Sequence, residues 1–478
     1  MDLEGKKVLV VGLARSGVAV AHLVASRGAM VVANDIKPES ELREAADELR
    51  KLGAMLSLGS HPETLFLNVD LIVLSPGVAA DLEPLELARA AGIEIISEPE
   101  LAGRFLRGRM IGVTGSNGKT TVTTLIGELM RAAGADVIVG GNIGTPLTSL
   151  IEKSTDRTWT VAELSSFQLE MIDSLRVHIA VVTNITPDHL DRHGSFDDYV
   201  LAKHGIFKNQ TSDDWAVLNL DSLAVVDMVK MYGLASRDVY FSTGVRASDL
   251  LNLGPANIYL RDGRIWTTLV SGGASEIEVM AIDEIPLRGM HNVENVMAAL
   301  ASVFCAMGTS AQDLPVLTDA IKRFKGVEHR IEYVAEIDGI KFYNDSKATN
   351  VDSTVKALEA FERNIIVILG GKDKGSDYTV LAKLVRDRVK NIVLIGAASD
   401  KIAEQLEGTR PMTRAQSMQD AVLRAMEVAT AGDIVLLAPA CASFDMFDNY
   451  EHRGRVFKEA VFEFASGVQS GWTGGLTT

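Results

Sequence analysis

The sequence predicts an α/β protein with three domains in series, and three observations support that. Apolar runs of strand length recur along all 478 residues, with helical patterns between them. A chain of this length exceeds one ordinary core. The alternation falls into three blocks, 1–100, 101–326 and 327–478, each with its own set of strands.

In the first block, Lys7–Gly12 is an unbroken apolar strand, and a helix from Ser16 to Arg27 follows and stops at Gly28. Further strands are expected at Met30–Asn34, Leu71–Leu74 and Ile93–Ile96. Such strands, apolar throughout and separated by helices, indicate a parallel sheet covered on both faces. The second block has strands at Met110–Val113, Trp159–Glu163 and Ile179–Asn184, and the helix after the first of them ends at Gly134. From Tyr240 to Pro286 periodicity weakens, so irregular strands and loops are expected before a closing helix at Asn292–Met307. The third block repeats the alternation, with strands at Lys341–Asn344, Ile365–Leu369, Ile392–Ile395 and Ile434–Leu437.

Composition bounds the function. Hydrophobic content of 47% and charged content of 23% suit a soluble globular protein. A formal net charge of −16 argues against broad binding to nucleic acid or anionic membranes. Cys305 and Cys441 are too few for a disulfide framework or a cysteine metal cluster, and they suit a reducing cytoplasm. The start, MDLEGKKVLVVG, runs into a glycine turn and does not read as a signal peptide. No apolar run approaches the ~20 residues of a membrane span. The final GVQSGWTGGLTT is expected to fray.

The chemistry is expected at strand ends, because open parallel sheets bind ligands beyond the carboxyl ends of their strands. In Arg109–Thr121, R-M-I-G-V-T-G-S-N-G-K-T-T, a strand leads into a glycine turn and a lysine. The common triphosphate pattern G-x-x-x-x-G-K-[ST] does not fit, since Val113 stands where its first glycine belongs. The residues alone therefore leave open a triphosphate site of another design or a simple turn. The amides of Gly115, Ser116, Asn117, Gly118 and Lys119 open a helix, whose N-terminus attracts anions. Lys119 could reach β- and γ-phosphates, and the Thr120 hydroxyl could bind Mg²⁺. Glu163 offers a hard oxygen at the next strand end, and His189 follows the third. If the three strands are neighbours, all three groups share one crevice. Ser195 with Asp198 starts a helix two turns before Lys203, which on this pattern is a surface lysine.

In the first block, Gly12-Leu13-Ala14-Arg15-Ser16-Gly17 with Asp35 resembles a dinucleotide fingerprint, but Ala14 replaces the glycine that lets a pyrophosphate approach. A nucleotide diphosphate other than NAD, or a purely structural turn, are both open. In the third block, Tyr343–Asn350, Gly370–Lys374 and Ala438–Ser443 are polar segments leaving three strands, two of them with lysines suited to an anion.

T-G-S-N-G-K-T at 114–120 resembles the phosphate loop of the Mur ligases, ATP-dependent amide-forming enzymes of peptidoglycan precursor synthesis. The resemblance extends through G-G-N-I-G (140–144), E-L-S-S-F-Q-L (163–169), N-I-T-P-D-H-L-D-R-H (184–193), N-D-S-K-A-T-N (344–350) and P-A-C-A-S-F-D (439–445). It covers nearly the whole chain in family order, and E-L-S-S-F-Q-L points to the member that adds D-glutamate. Departures are Ala14 in the first loop, Ala438 where serine is common, Tyr450 where phenylalanine also occurs, and a longer segment at 240–285.

The resemblance implies a Rossmann-like N-terminal domain, a central parallel sheet of the phosphate-loop ATPase type and a Rossmann-like C-terminal domain. It implies a cytoplasmic monomer that uses ATP, two Mg²⁺ ions and the substrates UDP-N-acetylmuramoyl-L-alanine and D-glutamate, with no nucleic-acid or membrane partner. Lys119, His189 and Lys203 would be catalytic. Gly115–Thr121, including Thr121, would bind the triphosphate, and Asn295, Arg330, Asp345 and Lys347 the rest of the nucleotide. Thr120, Glu163, His189 and a CO₂-derived carbamate on Lys203 would ligate metal, which reverses the surface reading of that lysine. Gly12, Ser16, Gly17, Asp35 and Ser75 would hold UDP, and Asn142 and Ser165 the muramoyl-alanine end. Thr349, Lys374, Ser443 and Tyr450 would receive D-glutamate.

Overall fold

A computed structural model describes residues 1–79, 81–142, 144–244, 255–270 and 276–467. The chain forms two compact units. One is Met1–Ile285 with Val293–Phe324, and the other is Pro286–Asn292 with the chain from Lys325 onward. Most of the expected tail, 468–478, lies outside the described residues, as do 245–254 and 271–275 of the 240–285 segment.

The first unit contains two sheets. In one, β1 (Lys7–Val11), β2 (Met30–Asp35), β3 (Met55–Leu58), β4 (Leu71–Leu74) and β5 (Glu94–Ser97) stand in the order β3-β2-β1-β4-β5, all parallel. From Val8 to Val11, β1 is apolar on both faces for a visible reason. Val8 and Val10 of β1 pack into one core layer with Leu23 and Val24, while Leu9 and Val11 pack into another with Phe66 and Leu85.

The second sheet contains β6 (Arg109–Thr114), β7 (Val137–Gly141), β8 (Trp159–Glu163), β9 (Ile179–Val182), β10 (Trp215–Asn219), β11 (Arg237–Ser242), β12 (Ile258–Arg261), β13 (Arg264–Thr267) and β14 (Ile277–Ala281). The order is β14-β13-β12-β11-β10-β9-β6-β8-β7. The three expected strands β9, β6 and β8 are therefore adjacent, and their parallel registers pair Thr114 with Val182 and Val113 with Glu163. The expected helix runs from Lys119 to Ala132, and Gly134 at φ 82° donates to Arg131 O as its C-terminal stop.

The weakly periodic segment is more regular than its sequence suggests. β12 and β13 form a hairpin across Asp262 and Gly263, both left-handed (φ 49° and 71°), and β14 adds antiparallel to β13.

In the second unit, β15 (Glu332–Ile337), β16 (Ile340–Asn344), β17 (Ile365–Leu369), β18 (Val389–Ile395), β19 (Met412–Ala415) and β20 (Ile434–Leu437) stand in the order β15-β16-β20-β17-β18-β19. β15 pairs antiparallel with β16, and the other pairs are parallel. Ile365, Val367 and Leu369 face one core layer, Ile366 and Ile368 the other. The carboxyl ends of β16, β20 and β17 are consecutive along this sheet.

Candidate active site

In the first unit, the loop after β6 is held open by backbone that only glycine adopts with ease. Gly115 has φ 142°, and a Cβ there would lie 2.0 Å from Thr183 Oγ1. Gly118, at φ 85°, is the N-cap of the following helix, and a Cβ there would lie 2.4 Å from Asn295 Oδ1. The loop is tied to the strand end beside it. Asn117 N donates to Asn184 Oδ1 (2.9 Å), and Thr183 Oγ1 donates to Asn117 O (2.6 Å). Ser116 Oγ donates to Thr186 O and accepts from Thr186 N, both at 2.9 Å. Lys119 Nζ curls back to Gly115 O and Ser116 O, both at 2.8 Å. A cationic head is thus parked at the mouth of a helix N-terminus, the arrangement that receives phosphate oxygens. Thr121 is buried behind it.

Glu163 at the end of β8 is buried. Its Oε2 accepts from Thr120 Oγ1 (2.8 Å), and its Oε1 accepts from Asn142 Nδ2 (2.9 Å). A buried hydroxyl and carboxylate paired beside a phosphate loop are hard oxygen donors of the kind Mg²⁺ takes. His189 is exposed and left-handed (φ 53°), with its Nε2 3.7 Å from Asp188 Oδ2. The three groups expected to share a crevice thus stand at three adjoining strand ends.

Lys203 is not on the surface, so the reading from the helix pattern alone fails. The side chain is 1% exposed, its Nζ donates to Gly115 O (2.9 Å), and it lies 4.3 Å from the centre of the Tyr199 ring. Ser195 Oγ does cap the helix Phe196–His204, accepting from Asp198 N. The consecutive residues Tyr199, Val200, Leu201 and Ala202 mark no single apolar face, which hid the burial. Burial pushes the Lys203 amine well below its ordinary pKa, and nearby Lys119 pushes it in the same direction.

The first-sheet turn is close-packed. Ser75 Oγ donates to Gly12 O (2.6 Å), and a Cβ on Gly17 would lie 1.9 Å from Gly12 O. Asp35 accepts from Leu13 N (2.7 Å) and Lys37 N (2.9 Å), so its carboxylate stabilises the turn itself. Ser16 is half-buried in the first turn of the helix Arg15–Ser26. Ser165 caps the helix Ser166–Leu169 in a reciprocal box with Gln168. Arg192 Nη2 donates to Val78 O (3.0 Å), which joins the loop after β4 to the central sheet. A groove of about 560 Å³ runs alongside, lined by Glu86, Arg89, Phe167, Glu170 and Arg192 among others.

In the second unit, the loop after β16 carries Asp345, Lys347 and Thr349. Asp345 is buried, and its pKa is pushed up to about 6, with Arg330, the Ile331 N–H, Lys347 and Arg453 opposing the rise. Lys347 Nζ lies 5.3 Å from the ring centre of Tyr450, the first residue of the helix Tyr450–Ala465. Ser443 is buried, and its Oγ has no hydrogen-bond partner among the described residues. An orphaned buried hydroxyl at a strand-end loop suits a polar ligand. Lys374 is exposed in the loop after β17, and Lys372 bridges that loop to Ala442.

Residues 6–97 match the Mur ligase MurD-like N-terminal domain, 113–303 the Mur ligase middle domain, and 329–441 the Mur ligase glutamate ligase domain. The UDP-N-acetylmuramoylalanine–D-glutamate ligase of Koribacter versatilis is 46% identical over 97% of this chain and 99% of its own. The chain belongs to the Mur ligase family. The enzyme of the same name from Acidobacterium capsulatum is 47% identical over 96% of this chain and 97% of its own. The fold is also that of the UDP-N-acetylmuramate–alanine ligase of Thermotoga maritima. That match has a TM-score of 0.59 at 20% identity and covers 96% of this chain and all of the other.

Two features of this Mur ligase escaped the sequence reading. Arg453 is 1% exposed and binds Ser346 Oγ, Ser346 O and Cys441 O (2.7–3.0 Å), fastening the loops after β16 and β20. Nothing in E-H-R-G-R distinguishes it from the exposed Arg455. Glu328, His329 and Glu332 bring ligand atoms within 4.8 Å of one another, as a metal site would. Lys458 Nζ, however, already lies 2.5 Å from Glu328 and 3.0 Å from Glu332, so an ammonium holds the place of a cation.

Proposed function

We propose that this chain is an ATP-dependent ligase that joins the amine of D-glutamate to the alanyl carboxylate of UDP-N-acetylmuramoyl-L-alanine. The observation that carries this is the phosphate loop with Lys119 at its mouth and the buried Thr120–Glu163 pair behind it. E-L-S-S-F-Q-L and the near-full-length relatives support the choice of substrates.

The alanyl carboxylate oxygen attacks the γ-phosphorus of ATP, and the bond to the β-phosphate oxygen breaks, leaving ADP and an acyl phosphate. The amine of D-glutamate attacks the acyl carbon, loses a proton, and the carbon–oxygen bond to phosphate breaks. Lys119 moves from the loop carbonyls to the phosphate oxygens, and the amides of Gly115–Thr121 orient them. ATP and Mg²⁺ are the family's cofactors, and bound Mg²⁺ supplies charge neutralisation at the phosphates. Thr120, Glu163, His189 and Lys203, carried as a carbamate, are the proposed ligands of two such ions.

Gly12, Ser16, Gly17, Asp35 and Ser75 bind UDP, and Asn142 and Ser165 the muramoyl-alanine end. Asn295, Arg330, Asp345 and Lys347 contact the nucleotide. Thr349, Lys374, Ser443 and Tyr450 receive D-glutamate. The domains divide as 1–100, 101–326 and 327–478, and the enzyme works as a cytoplasmic monomer. Purified protein with ATP, Mg²⁺ and UDP-N-acetylmuramoyl-L-alanine, offered a panel of amino acids, should release phosphate only with D-glutamate. Release with a different amino acid, or with none, refutes the assignment.

A further inference from the structure

His193 ends N-I-T-P-D-H-L-D-R-H, and no role above uses it. Its side chain is 1% exposed. Nε2 lies 2.9 Å from Ser166 Oγ. Nδ1 lies 2.7 Å from Glu170 Oε1 without the geometry of a hydrogen bond. A buried imidazole held at Nε2 by Ser166 and packed at Nδ1 against the Glu170 carboxylate has little room to turn, so its ring is a fixed surface.

Two rings rest on that surface. Phe167 stacks on it nearly parallel (3°, centroids 5.0 Å apart), and the edge contact of Phe167 with His189 (5.1 Å, 72°) passes the constraint on. Arg192 covers Phe167, its guanidinium 4.5 Å from the ring centre. Tyr199 also packs against His193 (5.2 Å, 59°). The Tyr199 hydroxyl lies 3.0 Å from Ser116 Oγ in the phosphate loop, and the Lys203 amine sits over its ring. From the segment after β9, one imidazole therefore touches the segment after β8 and the helix carrying Lys203.

We infer that His193 is a positioning residue that fixes the orientation of His189 through Phe167 and braces the phosphate loop through Tyr199. It rests on the reading of His189 as a metal ligand. A partner that orients a metal ligand is typically worth about 10–100-fold in metal affinity.

The test uses the full chain with Mn²⁺ and a non-hydrolysable ATP analogue, with Mn²⁺ binding followed by electron paramagnetic resonance. His193→Phe keeps the stack but loses Ser166 and Glu170. It should melt with the wild type yet bind Mn²⁺ about tenfold more weakly, at the site that His189→Ala removes. Its kcat should fall by about tenfold with KM for ATP unchanged. Unchanged Mn²⁺ affinity in folded His193→Phe overturns the inference while leaving the reading of His189 standing. Intact Mn²⁺ binding in His189→Ala overturns both. Should His193→Phe not fold, Glu170→Gln, altered at a residue one-third exposed, must weaken Mn²⁺ binding in the same direction. Wild-type affinity there also overturns the inference.

Discussion

Glu98 offers a stability prediction whose sign and size both come from the structure. It opens the helix Glu98–Gly103 after β5 and is fully buried, its Oε1 accepting from Thr148 N (2.7 Å) and Thr148 Oγ1 (2.9 Å). Its Oε2 has no hydrogen-bond partner among the described residues. Burial raises its pKa from 4.5 to about 7, against the lowering effect of the Thr148 and Leu147 contacts. A carboxyl with a raised folded pKa binds its proton more tightly folded than unfolded. Its stabilising share is fully present below pH 4.5 and is lost as pH rises through about 7. That interval, at about 1.4 kcal/mol per pH unit, amounts to about 3 kcal/mol. Glu98→Gln approximates the protonated form at every pH and keeps the oxygen that Thr148 binds. Melting of the two proteins, followed from pH 5 to pH 8.5, should coincide at the acid end. The variant should then melt higher by roughly 5 °C at the alkaline end. Parallel pH profiles, or a variant less stable at pH 8.5, would refute the claim that a buried ionised carboxylate strains this seam.

Two further predictions concern the site. Lys203→Ala should lower kcat by about 100-fold or more, because several kcal/mol of metal-based charge stabilisation are at stake, and added acetate should restore part of the rate. Full activity without added carboxylate eliminates the carbamate. Lys374→Ala should raise KM for D-glutamate by about 10-fold or more, as loss of a charge-assisted hydrogen bond does, and leave KM for ATP within about twofold. Equal rises for both substrates would place Lys374 away from the amino acid.

What the sequence made legible was what burial on two faces writes into it. β4, β17 and β20 are apolar throughout, β1 departs only at Lys7 and β8 at Thr160 and Glu163, and each was found within a residue or so of its observed ends. β3 (MLSL) and β19 (MTRA) are sheet-edge strands, only partly buried, and lack that signature. β7 ends in two glycines, which reads as a turn. β10 (WAVLN) is as apolar as its neighbours, and nothing physical hid it. The strand-end groups were legible because glycine, lysine and acid fall at strand ends in sequence. Asn184, Tyr199 and Arg453 were not, because what matters about them is what they touch across the fold.

Lys119 and Lys203 show why the crevice has this composition. Both amines donate to the same carbonyl, Gly115 O, at 2.8 and 2.9 Å. Two ammonium groups sharing one acceptor repel, and one of the two lysines is fully buried. The conflict is relieved if Lys203 gives up its proton, which is the direction in which burial and Lys119 both push it. A neutral amine is also the only form of lysine that attacks CO₂, releasing a proton as the carbamate forms. Carbamylation would then replace a repelled cation with an anion beside Lys119 and next to the acid Glu163, where a divalent ion offsets the added negative charge. The features that make Lys203 costly as an ammonium are therefore the ones that make it suitable as a carbamate. Replacing Lys119 with a neutral residue should accordingly raise the pKa of the Lys203 amine, not lower it.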